Sequence, residues 1–353
     1  MNENSLIKDI GRSYIVSSLL PAGLFVSLGF LFYGKFINLG LIKSIQQGPF
    51  SVFSWIIFSA FIIWVAFALY STVDYIIQIY EGYLFPIWVQ KAVVFLFVLP
   101  CHRWRMRNVN KSSQIRYRRP KKNYSIKDHQ IILQAQADYF DIESKSPLRE
   151  NDLLPTRLGN VMRASEIYTV GRYGFEGHVF WTRLATLLPE TMRAMLEEKN
   201  NHLIFLLNSS LLSFVNAVIA FIIFDSHYLI LKYPAIYQTL QAWELQNLFK
   251  ADFSVFSANA YGLLGLAWLL VSYILYSSSV SVAETFGLLI RSSFDLYRFD
   301  LLKQLNHPIP RSLKQERRTW NKLNEFIVNA GNLGNKPLKF NYVLRDNLKN
   351  RPG

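Results

Sequence analysis

Long apolar runs alternate with charge-rich blocks along this chain, and the length of the runs is the first clue. A helix rises about 1.5 Å per residue, so about 20 mostly apolar residues cross a hydrocarbon layer of about 30 Å. Four runs qualify: 13–34, 49–71, 201–224 and 259–283. The first lies between Arg12 and Lys35 and is too long for the core of a signal peptide. No small-x-small cleavage site follows it closely, so it is expected to remain as a helix, with Pro21 and Gly23 as points where it can kink. The second contains Trp55 and Trp64, and charge returns only at Asp74.

Residues 83–100 form a fifth apolar stretch with Lys91 at its centre and Pro86 near its start. A central lysine costs about 2.5–3.5 kcal/mol on insertion, and each Leu, Ile, Phe or Val returns about 0.3–0.6. Hydropathy therefore permits a crossing. The favoured reading is an interfacial or re-entrant helix with Lys91 snorkelling to the headgroups. The expected fold is an all-α membrane protein with four transmembrane helices, five if 83–100 crosses, and helical cytoplasmic segments.

The polar blocks also carry helical periodicity. A short helix is expected at 130–140. Ile290, Phe294, Tyr297, Leu301 and Leu305 recur at three- and four-residue steps, which continues the fourth apolar helix until His307-Pro308 stops it. A further helix over 311–330 carries the stripe Leu313, Trp320, Leu323, Ile327 and Ala330. Another helix is expected from Thr182 directly into the third apolar run.

Charge fixes the orientation. Residues 101–200 hold 18 Lys and Arg against 11 Asp and Glu, and 285–353 hold 13 against 5. The loop 225–258 has only Lys232 and Lys250 against three acids. The positive-inside rule then places 101–200 and the C-terminus in the cytoplasm and 225–258 outside. The expected organisation is an N-terminal membrane region at 1–100, a basic cytoplasmic module at 101–200, a C-terminal membrane region at 201–284 and a basic helical tail at 285–353. Four crossings put the N-terminus inside and five put it outside; the rule accepts both. The expected location is the inner (plasma) membrane, as a multi-pass protein with its C-terminus cytoplasmic.

Composition agrees with this pattern. Apolar residues make up 51% and charged residues 18%, below the roughly 25% of soluble domains. The net charge is +14. The single cysteine, Cys101, excludes an intrachain disulfide, and its place at the end of an apolar run predicts a buried, inert thiol.

Three groups of side chains are candidates for function. Residues 102–127 have no acid and ten bases. Of these, Arg103, Arg105, Arg107, Arg116, Arg118, Arg119, Lys121 and Lys122 form a candidate surface for anionic lipid or a partner, at about 1 kcal/mol per residue near a membrane. Trp104 and Tyr117 suit headgroup depth, and nucleic-acid stacking is the weaker rival. Ser277, Ser278, Ser279 and Ser281 make a candidate helix-packing or pore face. Arg157, Arg163, Glu166, Arg172 and Arg183 alternate charge at helical spacing, which reads as a structural salt-bridge cluster. Gly171, Gly174 and Gly177 lack the Gly-Lys-Ser/Thr of a phosphate loop, so a tight turn is expected there.

The run from Leu153 to Glu190 is distinctive. Leu154 to Asn160 reads Leu-Pro-Thr-Arg-Leu-Gly-Asn, followed by Arg172-Tyr173-Gly174, then Trp181 to Leu184 as Trp-Thr-Arg-Leu, then Leu188-Pro189. This segment resembles an uncharacterised family of bacterial multi-pass membrane proteins. The resemblance covers about a tenth of the chain and implies no activity.

No motif commits the chain to a reaction, a cofactor or a metal. The six histidines are scattered and none has metal-helix spacing. The charge-poor spans, with no visible repeat, argue against a coupled transporter. Two readings stand. The first is a membrane-anchored scaffold or signalling component, acting through its basic module on anionic lipids, a homo-oligomer or a cytoplasmic protein. The second is an oligomeric channel or pore-forming effector.

Overall fold

The computed structural model describes residues 13–33, 51–118, 125–232 and 255–328, and among these every regular element is helical. In chain order they are α1 (Ile15–Tyr33), α2 (Ser51–Ser71), α3 (Val73–Glu81), α4 (87–118), α5 (Ile126–Lys145), α6 (Arg157–Glu166), α7 (Tyr168–Arg172), α8 (Gly177–Ala185), α9 (Glu190–Lys232), α10 (Val255–Gln304) and α11 (Leu313–Val328). The chain divides into two compact units: 1–78 with 201–281, and 79–200 with 282–353.

Three helical stretches are long and apolar enough to cross a membrane: Ile15–Tyr33, Glu190–Ser226 and Asn259–Gln304. A fourth, Trp55–Ser71, qualifies only together with Val73–Glu81, from which it bends by 61°. Thr72 sits at this bend, its hydroxyl donating to the Ala68 carbonyl at 2.7 Å. Residues 83–100 are not among the spans.

The first unit is built on polar groups sealed between apolar helices. Pro21 has no N–H for the Ser17 carbonyl four residues back. The helix answers with a π turn over Ile15–Leu19, where the Leu20 N–H reaches Ile15. Asn208 of α9 then donates its Nδ2 to the Ser17 carbonyl at 2.7 Å. Further along, Asn216 Nδ2 donates to the Phe25 carbonyl at 3.2 Å, and the Tyr33 hydroxyl donates to the Asn216 carbonyl at 2.8 Å. At the other end Ser13 Oγ donates to Asn201 Oδ1 at 2.6 Å. The pairs 13–201, 17–208 and 25–216 rise together in number, so α1 and this part of α9 run parallel.

The α9–α10 pair runs the other way. Ser210 and Ser272 each donate to the other's carbonyl at 2.9 Å, while Gly265 and Gly262 face the rings of Phe221 and Phe224. Small residues let helix backbones approach where lipid offers no hydrophobic drive for association. Aromatic contacts between Tyr14 and Tyr70, and between Phe30 and Phe58, set α2 antiparallel to α1.

The second unit has an aromatic core. Phe175 lies 4.4 Å from Trp320, 5.2 Å from Phe180 and 5.6 Å from Phe294 between ring centres. Leu184, Leu188, Leu301, Leu302 and Leu323 complete it. The basic half of α4 packs along α5, whose start is fixed by a capping box: Ser125 Oγ accepts from the Asp128 N–H, and Asp128 Oδ2 accepts from the Ser125 N–H.

Several expectations are corrected. The helix expected at 130–140 runs over Ile126–Lys145. The helix expected from Thr182 into the third run is broken between Ala185 and Glu190, because Leu188-Pro189 ends one helix and starts the next; α9 therefore begins well before residue 201. Leu313 does not join the buried stripe of α11 and is 53% exposed, whereas Trp320 is fully buried. Cys101 is exposed and not buried. Ala330 and the tail beyond it lie outside the described residues.

Candidate functional site

The distinctive segment 153–190 belongs wholly to the second unit, and its residues work as joints. Asn160 is 6% exposed. Its Oδ1 accepts from the Leu154 N–H at 2.8 Å, and its Nδ2 donates to the carbonyls of Leu154 and Thr156, both at 2.7 Å. One side chain thus replaces the backbone partners that Pro155 forbids. Thr156 caps α6, accepting from the Gly159 N–H at 3.0 Å and donating to the Glu81 carbonyl at 2.9 Å. Gly159 is required there, because a Cβ would collide with that same carbonyl.

Glu81 itself is buried, and burial with the nearby Glu166 raises its carboxyl to about 7. Arg163 pairs with Glu166 at 3.1 Å on the adjoining face of α6.

Between α7 and α10 lies a second cluster. Asp295 accepts from the Tyr168 hydroxyl at 2.8 Å and from the Tyr173 hydroxyl at 2.6 Å. Burial and these bonds to a carboxylate raise Tyr168 to about 12 and push Tyr173 higher still. Both hydroxyls are therefore donors and neither is a base. The Arg298 guanidinium lies 4.5 Å from the Tyr173 ring centre and donates to Glu316 at 2.8 Å, a pair whose side chains are 17% and 6% exposed. Arg172 and Arg291 flank the Tyr168 ring at 4.8 and 5.2 Å. Burial lowers Arg291 from the usual guanidinium range, while Glu143 pulls the other way. Arg291 Nη2 donates to the Glu143 carbonyl at 2.7 Å.

Beside this cluster opens a cleft of about 730 Å³, lined among others by Glu143, Arg149, Arg163, Glu166, Arg172 and Arg317. Its charges are of both signs and largely matched to one another. Among the described residues no group of three or more His, Cys, Asp or Glu side chains could hold a metal ion.

The sequence candidates fall as follows. Arg103 holds Glu150 through both carboxylate oxygens at 2.8 Å, and Arg105 meets Asp141 at 2.5 Å, so two of the basic candidates are matched inside the unit. Arg107 lies with Lys111 and Trp104 beside a shallow hollow that also holds Asp138 and Asp141. The side chains of Arg116 and Arg118, and all of Arg119, Lys121 and Lys122, lie outside the described residues. In the charge cluster only Arg163–Glu166 pairs within the set. Arg172 turns to Glu143 at 3.6 Å, Arg183 donates to its own helix at Val179, and Arg157 is exposed. The serines divide around α10: Ser279 is fully buried and donates to Tyr276, Ser278 is exposed and donates to Ile274, Ser281 is exposed and Ser277 half-buried. Gly174 has φ 85° and makes the tight turn between α7 and α8.

Sequence reasoning missed Arg291, Asp295, Arg298 and Glu316. A signal existed: Arg291, Asp295 and Arg298 recur at helical steps beside the apolar stripe of α10, where charge is out of place. No protein-family model, curated protein or solved structure matches the chain.

Proposed function

We propose that this is a membrane-anchored scaffold or signalling protein with four crossings, and not an enzyme, whose second unit is a cytoplasmic binding module. The observation that carries this reading is continuity. α9 and α10 are each one unbroken helix that supplies residues to both units. A change bound by the second unit therefore has a helical route to the apolar one. Inside the second unit, the charged and phenolic groups are engaged with one another, which suits a recognition surface better than a reaction centre.

The four-crossing count is supported by the parallel register of α1 and α9. Two parallel crossings need an odd number of crossings between them. α2 supplies one, and a crossing at 83–100 would make two. With four crossings, the residues before α1, the module 79–200 and everything after α10 share one side, and the basic excess makes that side cytoplasmic. The membrane is then the inner (plasma) membrane. The partners are anionic lipids and either a cytoplasmic protein or further copies of the chain; nucleic acid is disfavoured by the acids that already hold Arg103 and Arg105. Kinship with the bacterial multi-pass family is part of the same proposal, supported by the joint-forming roles of Thr156, Gly159 and Asn160.

The rival reading, an oligomeric channel, draws on Ser278 and Ser281, which are exposed on α10. Liposomes carrying the purified protein test the two, with oligomeric state measured alongside. Tight vesicles are expected. Ion flux from a defined oligomer, abolished by Ser278→Leu with Ser281→Leu, would replace the scaffold reading with a channel.

A further inference from the structure

We propose that the first half of α4 lies in the membrane interface and that the groove behind it holds one anionic phospholipid. The proposal rests on the four-crossing reading, which keeps this helix on one side of the bilayer.

The stretch before and along α4 has no apolar shelter of its own. Residues Ile87–Val93 and Val94–Val98 include no buried side chain. Phe95, Leu96 and Phe97 are consecutive, so they point to three different sides of the helix, yet they are 69%, 61% and 70% exposed. A helix that faces water keeps a polar side; one that is apolar all round belongs in an apolar medium. Tyr83, Trp88 and Trp104 are exposed as well, and such amphipathic rings favour the headgroup level.

Between α4 and the segment leading to α6 runs a groove of about 570 Å³, within the range of ligand pockets. Val94, Phe95 and Leu99 form one wall and Leu153 and Pro155 the other, with Lys91 among the lining residues. The acid there, Glu150, is held through both oxygens by Arg103. Lys91 makes no ion pair among the described residues. The groove thus offers an apolar trough with an unmatched cation, which complements an acyl chain joined to a phosphate. Gln90 steadies the helix start by donating its amide to the carbonyls of Tyr83 and Phe85 at 3.1 and 2.7 Å.

The full-length protein in nanodiscs of mixed phosphatidylcholine and phosphatidylglycerol, released into mild detergent, provides the test. Native mass spectrometry counts the phospholipid that stays bound. Phosphatidylglycerol should be retained in preference to phosphatidylcholine. Lys91→Gln should lower that retention about fivefold, the factor expected for one lysine near an anionic headgroup. Ala92→Trp, which fills the groove from an exposed position, should abolish retention of both lipids while helix content and melting temperature stay unchanged. Arg311→Gln, remote and exposed, should change nothing. Equal retention of the two lipids by wild type and Lys91→Gln, or undiminished retention by Ala92→Trp, would overturn the groove. Thiol labelling at residues 5 and 341 in sealed vesicles reads the crossing number separately. Labelling from opposite sides would refute the four-crossing reading and the proposal with it; labelling from one side without retained lipid refutes the groove alone.

Discussion

A single hydroxyl at Thr156 serves two backbones, capping α6 and holding the Glu81 carbonyl. The contact is so close that Gly159 has no room for a side chain, and the obstacle is main chain, which cannot swing aside. Gly159→Val should therefore destabilise the protein by about 1–3 kcal/mol, read as a lower midpoint of thermal unfolding in detergent; an unchanged midpoint would show the joint to be loose. Glu81 beside it makes stability depend on pH. Its folded carboxyl, raised to about 7 from an ordinary 4.5, holds its proton more tightly than the unfolded one does. That contribution is complete below the unfolded value and is lost as pH rises through the folded one. Glu81→Gln should thus melt higher than wild type at about pH 8 and nearly with it at about pH 4, the gap opening in between. A gap that stays constant across that range would exclude Glu81 as the titrating group. The sequence marks Leu154 to Asn160 as unusual, but not as a joint, because the partner lies some seventy positions earlier, where no local pattern points.

At the scale of helices, the legible parts were those decided by uninterrupted apolar length. Within the described residues α1 and α10 fall where their apolar runs were expected, and α10 stops at Gln304, just before His307-Pro308. α9 does not, because its start is fixed by Pro189 and not by the first apolar residue. The bend after α2 was hidden for a similar reason: Thr72 and the residues around it remain apolar on average, and the break is made by backbone geometry. Polar residues inside spans were invisible as such. Asn208 looks unremarkable in sequence, yet it supplies the hydrogen bond that Pro21 denies to Ser17. Asn208→Leu should weaken the α1–α9 pair by about 1 kcal/mol, measurable as a lower midpoint of unfolding in mixed micelles. The exposed substitution Ser278→Ala is the control, and an effect no larger than the control's would mean the carbonyl needs no partner. In the second unit, Trp320→Ala should cost about 3–5 kcal/mol, since its ring is fully buried against Phe175 and Phe180. Near-UV circular dichroism would report the loss of aromatic packing, and a retained spectrum would argue against this core.

For the molecule as a whole, charge distribution alone left two topologies, and the register of three hydrogen-bonded pairs is the observation that supports the proposed four crossings. With Cys101 replaced by alanine, single cysteines introduced at Ser5 and Asn341 should both label from the cytoplasmic side of sealed vesicles, whereas one introduced at Tyr237 should label from the other. Opposite labelling of positions 5 and 341 would restore a crossing at 83–100.

The second unit is split in sequence, with its first part at 79–200 and its second at 282–353. Phe175 and Phe180 leave the ribosome long before Phe294 and Trp320, which close over them. On the proposed topology two apolar helices are threaded into the bilayer in the interval. At about 5–20 residues per second, the roughly 120 positions from the end of the first part to Trp320 take ~6–24 s to synthesise. For that time the nascent chain shows an open aromatic face. On the same topology the second unit closes only after the last helix has been inserted, which makes completed insertion a precondition for a closed, chaperone-independent module.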